Sequence, residues 1–191
     1  MKIGLFFGSF NPVHTGHMVL ANYMLEFTDL DRIWFVVTPH NPLKKKVSLL
    51  ADIHRLALVR AAIGDNTRYK ASDIEFGLPQ PSYTVHTLAH LEEKYPGDEF
   101  ALIMGSDNIE SLSKWKNFEV ILERYKIYVY PRPGHPGGEF AKHPSVIMTD
   151  APQMSISSTM IREAIRARKD MQFFMPEGAW KYCSEMHFYT K

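Results

Sequence analysis

The chain has 191 residues, 45% of them hydrophobic, and a formal net charge of +1. That is room for one domain, residues 1–191, with a real core, and it offers no overall field for nucleic acid or an acidic membrane. Lone Cys183 excludes an intrachain disulfide framework and a cysteine-based zinc site, and the apolar part of the opening MKIGLFFG is too short for a signal-peptide core or a membrane span, so a cytoplasmic setting is expected.

The first apolar run, 3–7, reads as a strand and leads directly into GSFNPVHTGH (8–17). Gly8 ends the strand, Asn11-Pro12 makes a turn, and His14 or Thr15 is a helix entry. Met18, Ala21, Met24 and Leu25 then share one face at helical spacing. Free N–H groups and the positive dipole end at such a helix start suit an anion, and Gly16 leaves room for close backbone approach. His14 and His17, three apart, can point toward one ligand. No Cys, Asp or Glu lies nearby to complete a metal site, and neither a Walker loop nor GxGxxG is present. Alone, the motif reads first as a turn with a capping Thr and two surface histidines.

Further along, 33–37 and 69–74 read as strands around a helix with Ile53, Leu56, Ala57 and Val59 or Ile63 on one face. Val85, Leu88 and Leu91 mark a helix stopped by Pro96-Gly97. Strand 100–104 runs into a GSD turn, and Phe118, Ile121 and Leu122 mark another helix. Strand 127–130 precedes PRPGHPGGEF (131–140), a surface loop by composition, and strand 146–148 follows. Ile161, Ala164 and Ile165 give a late helix, and 177–185 the last. Strands alternating with helices predict an α/β fold with a doubly wound, mainly parallel sheet. Ligands then bind beyond the carboxyl ends of the strands, near the topological switch point.

SISSTMIRE (155–163) opens the late helix. N-capping explains one hydroxyl of Ser157, Ser158 and Thr159, and no Glu or Gln follows to make a capping box. Arg162 places a cation near the positive dipole end, which an anion held between hydroxyls, backbone donors and guanidinium would turn to advantage. Two phosphate-suited helix starts at opposite ends of the chain suggest one polyphosphate between them.

These two segments carry a family resemblance. GSFNPVHTGH is similar to the (H/T)xGH signature of the nucleotidyltransferase superfamily, and SISSTMIR to its ISSTxxR signature. PSYTVHTL (81–88), LIMGSDNIESLSKW (102–115), the PRPG stretch and the closing MPEGAWKYCSEMHFY resemble the bacterial nicotinate mononucleotide adenylyltransferases. The resemblance implies a Rossmann-like fold and a transfer of AMP from ATP to nicotinate mononucleotide in NAD biosynthesis. Magnesium would enter with it, held mainly by ATP phosphates and water.

It further implies that His17, His14 and Arg162 are catalytic. Gly8, Ser9, Phe10, Gly16, Lys44, Lys45, Gly105, Asp107, Ser157, Ser158 and Thr159 would bind ATP, with Asp107 on the ribose hydroxyls. Ser82, Tyr83, Thr84 and Trp115 would hold the nicotinate nucleotide. Read alone, Asp107 serves equally as a turn residue, Trp115 as a core anchor and Lys44–Lys46 as a solvated run. The chain departs from the family pattern at Lys116, where an aromatic residue is usual, at His86, where an acid is usual, and at Pro42-Leu43-Lys44-Lys45. Partners are therefore ATP and nicotinate mononucleotide, without nucleic acid or membrane, and a homo-oligomer is left open. Phosphopantetheine adenylyltransferase and a nucleotide-binding sensor without turnover are the rival readings.

Overall fold

A computed structural model describes residues 1–39 and 49–191. The six apolar runs form β1 (Lys2–Gly8), β2 (Arg32–Val37), β3 (Tyr69–Ser72), β4 (Glu99–Gly105), β5 (Ile127–Tyr130) and β6 (Val146–Met148). Between and after them lie α1 (Thr15–Phe27), α2 (Asp52–Ile63), α3 (Thr84–Lys94), α4 (Ser106–Glu110), α5 (Phe118–Arg124), α6 (Ser158–Arg166) and α7 (Glu177–Glu185). The strands make one sheet in the order β3-β2-β1-β4-β5-β6, with every pairing parallel.

The near-continuous apolar runs are explained by burial on both faces. Ile33, Phe35 and Val37 of β2 face one core while Trp34 and Val36 face the other, and β4 splits Ala101 and Ile103 from Phe100, Leu102 and Met104 in the same way. The first core is closed by α1, α2, α6 and α7 through Met24, Leu56, Val59, Ile161, Ile165 and Ala179; the second by α3, α4 and α5 through Leu88, Leu91, Ile109 and Ile121. Each fully buried Leu, Ile or Phe contributes about 1.5–3 kcal/mol, so the two cores together fix the strand order that positions the loops.

The structure adds α4 where a turn was expected, because five residues are too short to show helical periodicity. The strand order reverses at β1, with β2 on one side and β4 on the other. Their carboxyl ends, Gly8 on β1 and Gly105 on β4, frame the crevice that such folds use for ligands. Among the described residues no helix is long and apolar enough to cross a membrane.

Candidate functional site

From Gly8 the chain turns through Phe10, whose φ of 45° is left-handed and whose ring is buried, and a cis Asn11–Pro12 peptide, to an extended His14 that caps α1. Thr15 is not the cap; its hydroxyl lies 3.5 Å from the Phe173 carbonyl. His17, the third residue of the helix, instead accepts the His14 backbone N–H through Nδ1 at 3.2 Å. This is the backward half of a capping box, with imidazole in the place of Glu or Gln. Accepting at Nδ1 puts the proton of neutral His17 on Nε2.

The two imidazoles stack, with centroids 3.7 Å apart and planes 24° apart. Phe10 (5.1 Å) and Phe6 (5.9 Å) meet the His17 ring edge-on. A Cβ on residue 16 would come within 3.0 Å of His14 Nδ1, so glycine there leaves space for the His14 ring. The sequence reading of two surface histidines is overturned: His14 is only 6% exposed, because the turn folds back onto the sheet and first core. Burial, and secondarily the Arg132 guanidinium, push His14 down to about 4. Burial, then His14, then Arg132, hold His17 well below the ordinary histidine range. Both are therefore neutral near pH 7.

This has a stability consequence. His14 titrates near 6.5 in the unfolded chain and about 4 when folded, so the unfolded state binds more protons in that window. Stability rises with pH there, and acidification from pH 7 to 4 should remove about 3 kcal/mol through this group. A His14→Gln variant should show a correspondingly flatter melting temperature against pH. Equal slopes for the two proteins would exclude the linkage.

The start of α6 is tied to the same turn. Ser157 is its N-cap, accepting the Met160 N–H at 3.2 Å. Ser158 Oγ donates to the Pro12 carbonyl at 2.8 Å. Arg162 lies one turn into α6 and reaches back. It donates through Nη1 to the Asn11 carbonyl (2.8 Å) and through Nη2 to Thr159 Oγ1 (3.2 Å). The two helix starts thus converge on a cleft of about 150 Å³ lined by His14, Gly16, His17, Leu20, Tyr130, Arg132, Met154, Ile156, Ser157 and Ser158.

Arg132 is the residue that sequence reasoning passed over. It stands two residues past β5, its N–H donating to Ser106 Oγ (2.8 Å) and its Nε 3.8 Å from Asp107 Oδ1. Its sequence signals are its place in the PRPG stretch and its position just beyond the carboxyl end of a parallel strand. The stretch 131–140 is a largely exposed surface loop, as its composition suggested, and Glu110 of α4 tethers it, holding His135 Nδ1 at 2.7 Å and the Gly137 N–H at 3.1 Å. A Cβ on Gly105 would press on the Asp107 carboxylate, Arg132 and Tyr130, so glycine is what allows these three to meet.

Two of the remaining candidates lie past the carboxyl ends of β2 and β3. Ser82 and Thr84 line a second hollow of about 220 Å³ with Thr38, Pro39, Glu75, Gln80 and Pro81. Glu75 is buried, takes the Thr87 hydroxyl at 2.8 Å, and is pushed above the ordinary carboxyl range by burial. Tyr83 caps α3 without a side-chain bond. The Lys116 ammonium sits 4.5 Å over its ring, and His86 meets it edge-on at 5.6 Å. Trp115 is half-buried against the second core. Ser9 offers its carbonyl to Arg55. Lys44 and Lys45 lie outside the described residues. Chemically, the first cleft presents imidazole, guanidinium, hydroxyl and backbone N–H donors, a set suited to phosphate oxygens.

Residues 5–164 match the model of the cytidylyltransferase-like family. A Flavobacterium johnsoniae protein named "Probable nicotinate-nucleotide adenylyltransferase" is 56% identical, covering 100% of both chains. One of the same name from Bacteroides thetaiotaomicron is 46% identical over 97% of this chain and 92% of its own. Among solved structures, Plasmodium falciparum nicotinic acid mononucleotide adenylyltransferase complexed with NaAD superposes with a TM-score of 0.80 at 19% identity, covering 99% of this chain and 97% of that one.

Proposed function

Because this chain belongs to the cytidylyltransferase-like family, and within it to the nicotinate-nucleotide adenylyltransferases, we propose that its site joins nicotinate mononucleotide to the AMP moiety of ATP. The products are nicotinate adenine dinucleotide and pyrophosphate, a step of NAD biosynthesis. The observation that carries this reading is the convergence of two helix N-termini, bound together by Ser158–Pro12 and Arg162–Asn11 contacts, on the stacked histidines.

The mononucleotide phosphate oxygen attacks the α-phosphorus, a new P–O bond forms, and the bond to the β-phosphate oxygen breaks with pyrophosphate leaving. The attacking group is already anionic, so no side-chain nucleophile or base is needed. Catalysis then rests on alignment and on stabilising charge where it grows. Neutral His17 serves as an Nε2–H donor to the α-phosphate oxygens. Phosphate charge beside His14 works against the burial that keeps it neutral and favours the imidazolium. Arg162, Arg132 and the N–H groups of α6 hold the β- and γ-phosphates. Asp107 is suited to the ribose hydroxyls. The α3 start, with Ser82, Tyr83 and Thr84, offers donors for the nicotinate carboxylate, and Trp115 a stacking plane.

Magnesium fits this donor set only as part of the ATP complex, since the cleft offers imidazoles and cations where a hard cation takes oxygen ligands. When bound, it neutralises phosphate charge. A lone, buried Cys183 is also consistent with a reducing cytoplasm.

The deciding experiment measures pyrophosphate release from ATP with nicotinate mononucleotide, its amide, or phosphopantetheine as acceptor. Release is expected with nicotinate mononucleotide, at a kcat/KM above that for the amide. Release with phosphopantetheine alone would overturn the substrate assignment, and none with any acceptor would point to a nucleotide sensor.

A further inference from the structure

The turn that delivers the histidines is held by several separate elements. Arg55, with no exposed surface, donates to the Ser9 carbonyl at 2.5 Å. Arg162 holds the Asn11 carbonyl and Ser158 the Pro12 carbonyl. A further tie comes from a segment to which no role has been given. Tyr189 Oη donates at 2.7 Å to Asn11 Oδ1, an oxygen that also accepts the Leu50 N–H at 3.2 Å. Asn11 itself is 4% exposed, so this oxygen depends on protein donors.

The segment carrying Tyr189 is built for this contact. His187 and Tyr189 both have left-handed backbones, with φ of 53° and 63°, a conformation side chains other than glycine adopt rarely and only when their surroundings impose it. The surroundings are specific. Phe188 packs its ring on His54 (4.9 Å) and Tyr182 (5.6 Å), joining α2 to α7. Arg166 of α6 donates to the Lys191 carbonyl at 3.1 Å. Between these two anchors the phenol is directed at the turn. Burial raises its pKa, against the opposing pull of Arg162 and Arg55, so it remains a donor across the working range.

We propose that Tyr189 is a positioning residue for the ATP phosphates: through Asn11 it fixes the 9–13 turn, and with it the stacked His14 and His17. The inference rests on the adenylyl-transfer reading for the identity of its ligand, and on the hydrogen bond for its mechanism. Tyr189→Phe keeps the ring packing and removes only the donor. Losing one buried hydrogen bond of this kind is expected to lower kcat/KM for ATP about five- to tenfold. The KM for nicotinate mononucleotide, assigned to the α3 side, should stay within about twofold by the same reasoning.

Because the tyrosine acts through Asn11, adding Tyr189→Phe to Asn11→Ala should cost nothing further. Additive losses would overturn the proposal. So would an unchanged kcat/KM for ATP in Tyr189→Phe. A loss shared equally by both substrates, in step with a lowered melting temperature, is the signature of a purely structural role and would also overturn it. That split decides the matter even if Asn11→Ala does not fold. If the native protein releases no pyrophosphate with any acceptor, the adenylyl-transfer reading fails by itself. The tyrosine is then tested by calorimetric affinity for a non-cleavable ATP analogue: weaker binding in Tyr189→Phe supports the proposal and equal binding ends it.

Discussion

Replacing His17 by alanine should cut kcat at least about a hundredfold while the protein stays folded. The size follows from losing one preorganised donor to charge developing in the transition state, about 3 kcal/mol. Preorganisation here is a matter of geometry. Nδ1 is occupied by the His14 N–H, the ring face is stacked on His14, and Phe6 and Phe10 meet the ring edge-on. The imidazole therefore has no rotational search to make, and its Nε2–H is the pole left for the cleft.

The same substitution also deprives the His14 N–H of its acceptor, which by itself costs about 1–3 kcal/mol of stability where the group is buried. Glutamine separates the two effects. It is a usual residue at this position of a capping box, so His17→Gln can restore the bond to the His14 N–H without supplying an imidazole donor. The expected pattern is a melting temperature closer to that of the native protein in His17→Gln than in His17→Ala, with both variants comparably slow. Turnover within tenfold of the native protein in His17→Ala would remove the catalytic role.

Why the histidine pair was legible and its setting was not is a question of contact range. Spacing of three on a helix after a strand is local, so the sequence placed His14 and His17 together. Their neutrality is not local, because burial depends on the turn folding back over β1 and the nearby cation, Arg132, follows β5. Arg132 sits in a Pro- and Gly-rich stretch with no periodicity, and composition alone made that stretch a surface loop. Arg55 occupies what reads as a polar position of α2, yet it is wholly buried, reaching the Leu50 and Ser9 carbonyls. Tyr189 and Asn11 are 178 residues apart and nothing in either neighbourhood announces the other. The strands were legible for the opposite reason: a parallel strand buried on both faces is apolar along its whole length, whatever its partners. Ser157, Ser158 and Thr159 fall between these cases. Their place at a helix start, and the local cap of Ser157 on the Met160 N–H, were readable, whereas the bond of Ser158 to the Pro12 carbonyl depends on how α6 meets the first turn.

Arg162→Lys, which conserves charge, should raise the KM for ATP at least about tenfold. The guanidinium spans two elements at once, with Nη1 on the Asn11 carbonyl and Nη2 on Thr159 Oγ1. A planar fork can keep those two bonds and still offer parallel N–H groups to phosphate. An ammonium gathers its donors on one nitrogen, so lysine must choose between bridging the helix starts and meeting the ligand. A tenfold loss corresponds to about 1.4 kcal/mol, the scale of one charge-assisted hydrogen bond. If Arg162 served the fold alone, the melting temperature would fall and the KM for ATP would stay. If it served only as a long-range positive charge, lysine would match it and raised salt would weaken both proteins alike. The bidentate role predicts a third pattern: near-native melting temperature without nucleotide, a smaller ATP-induced thermal shift than in the native protein, and a raised KM at every ionic strength. An unchanged ATP dependence would return Arg162 to a purely structural place beside Asn11.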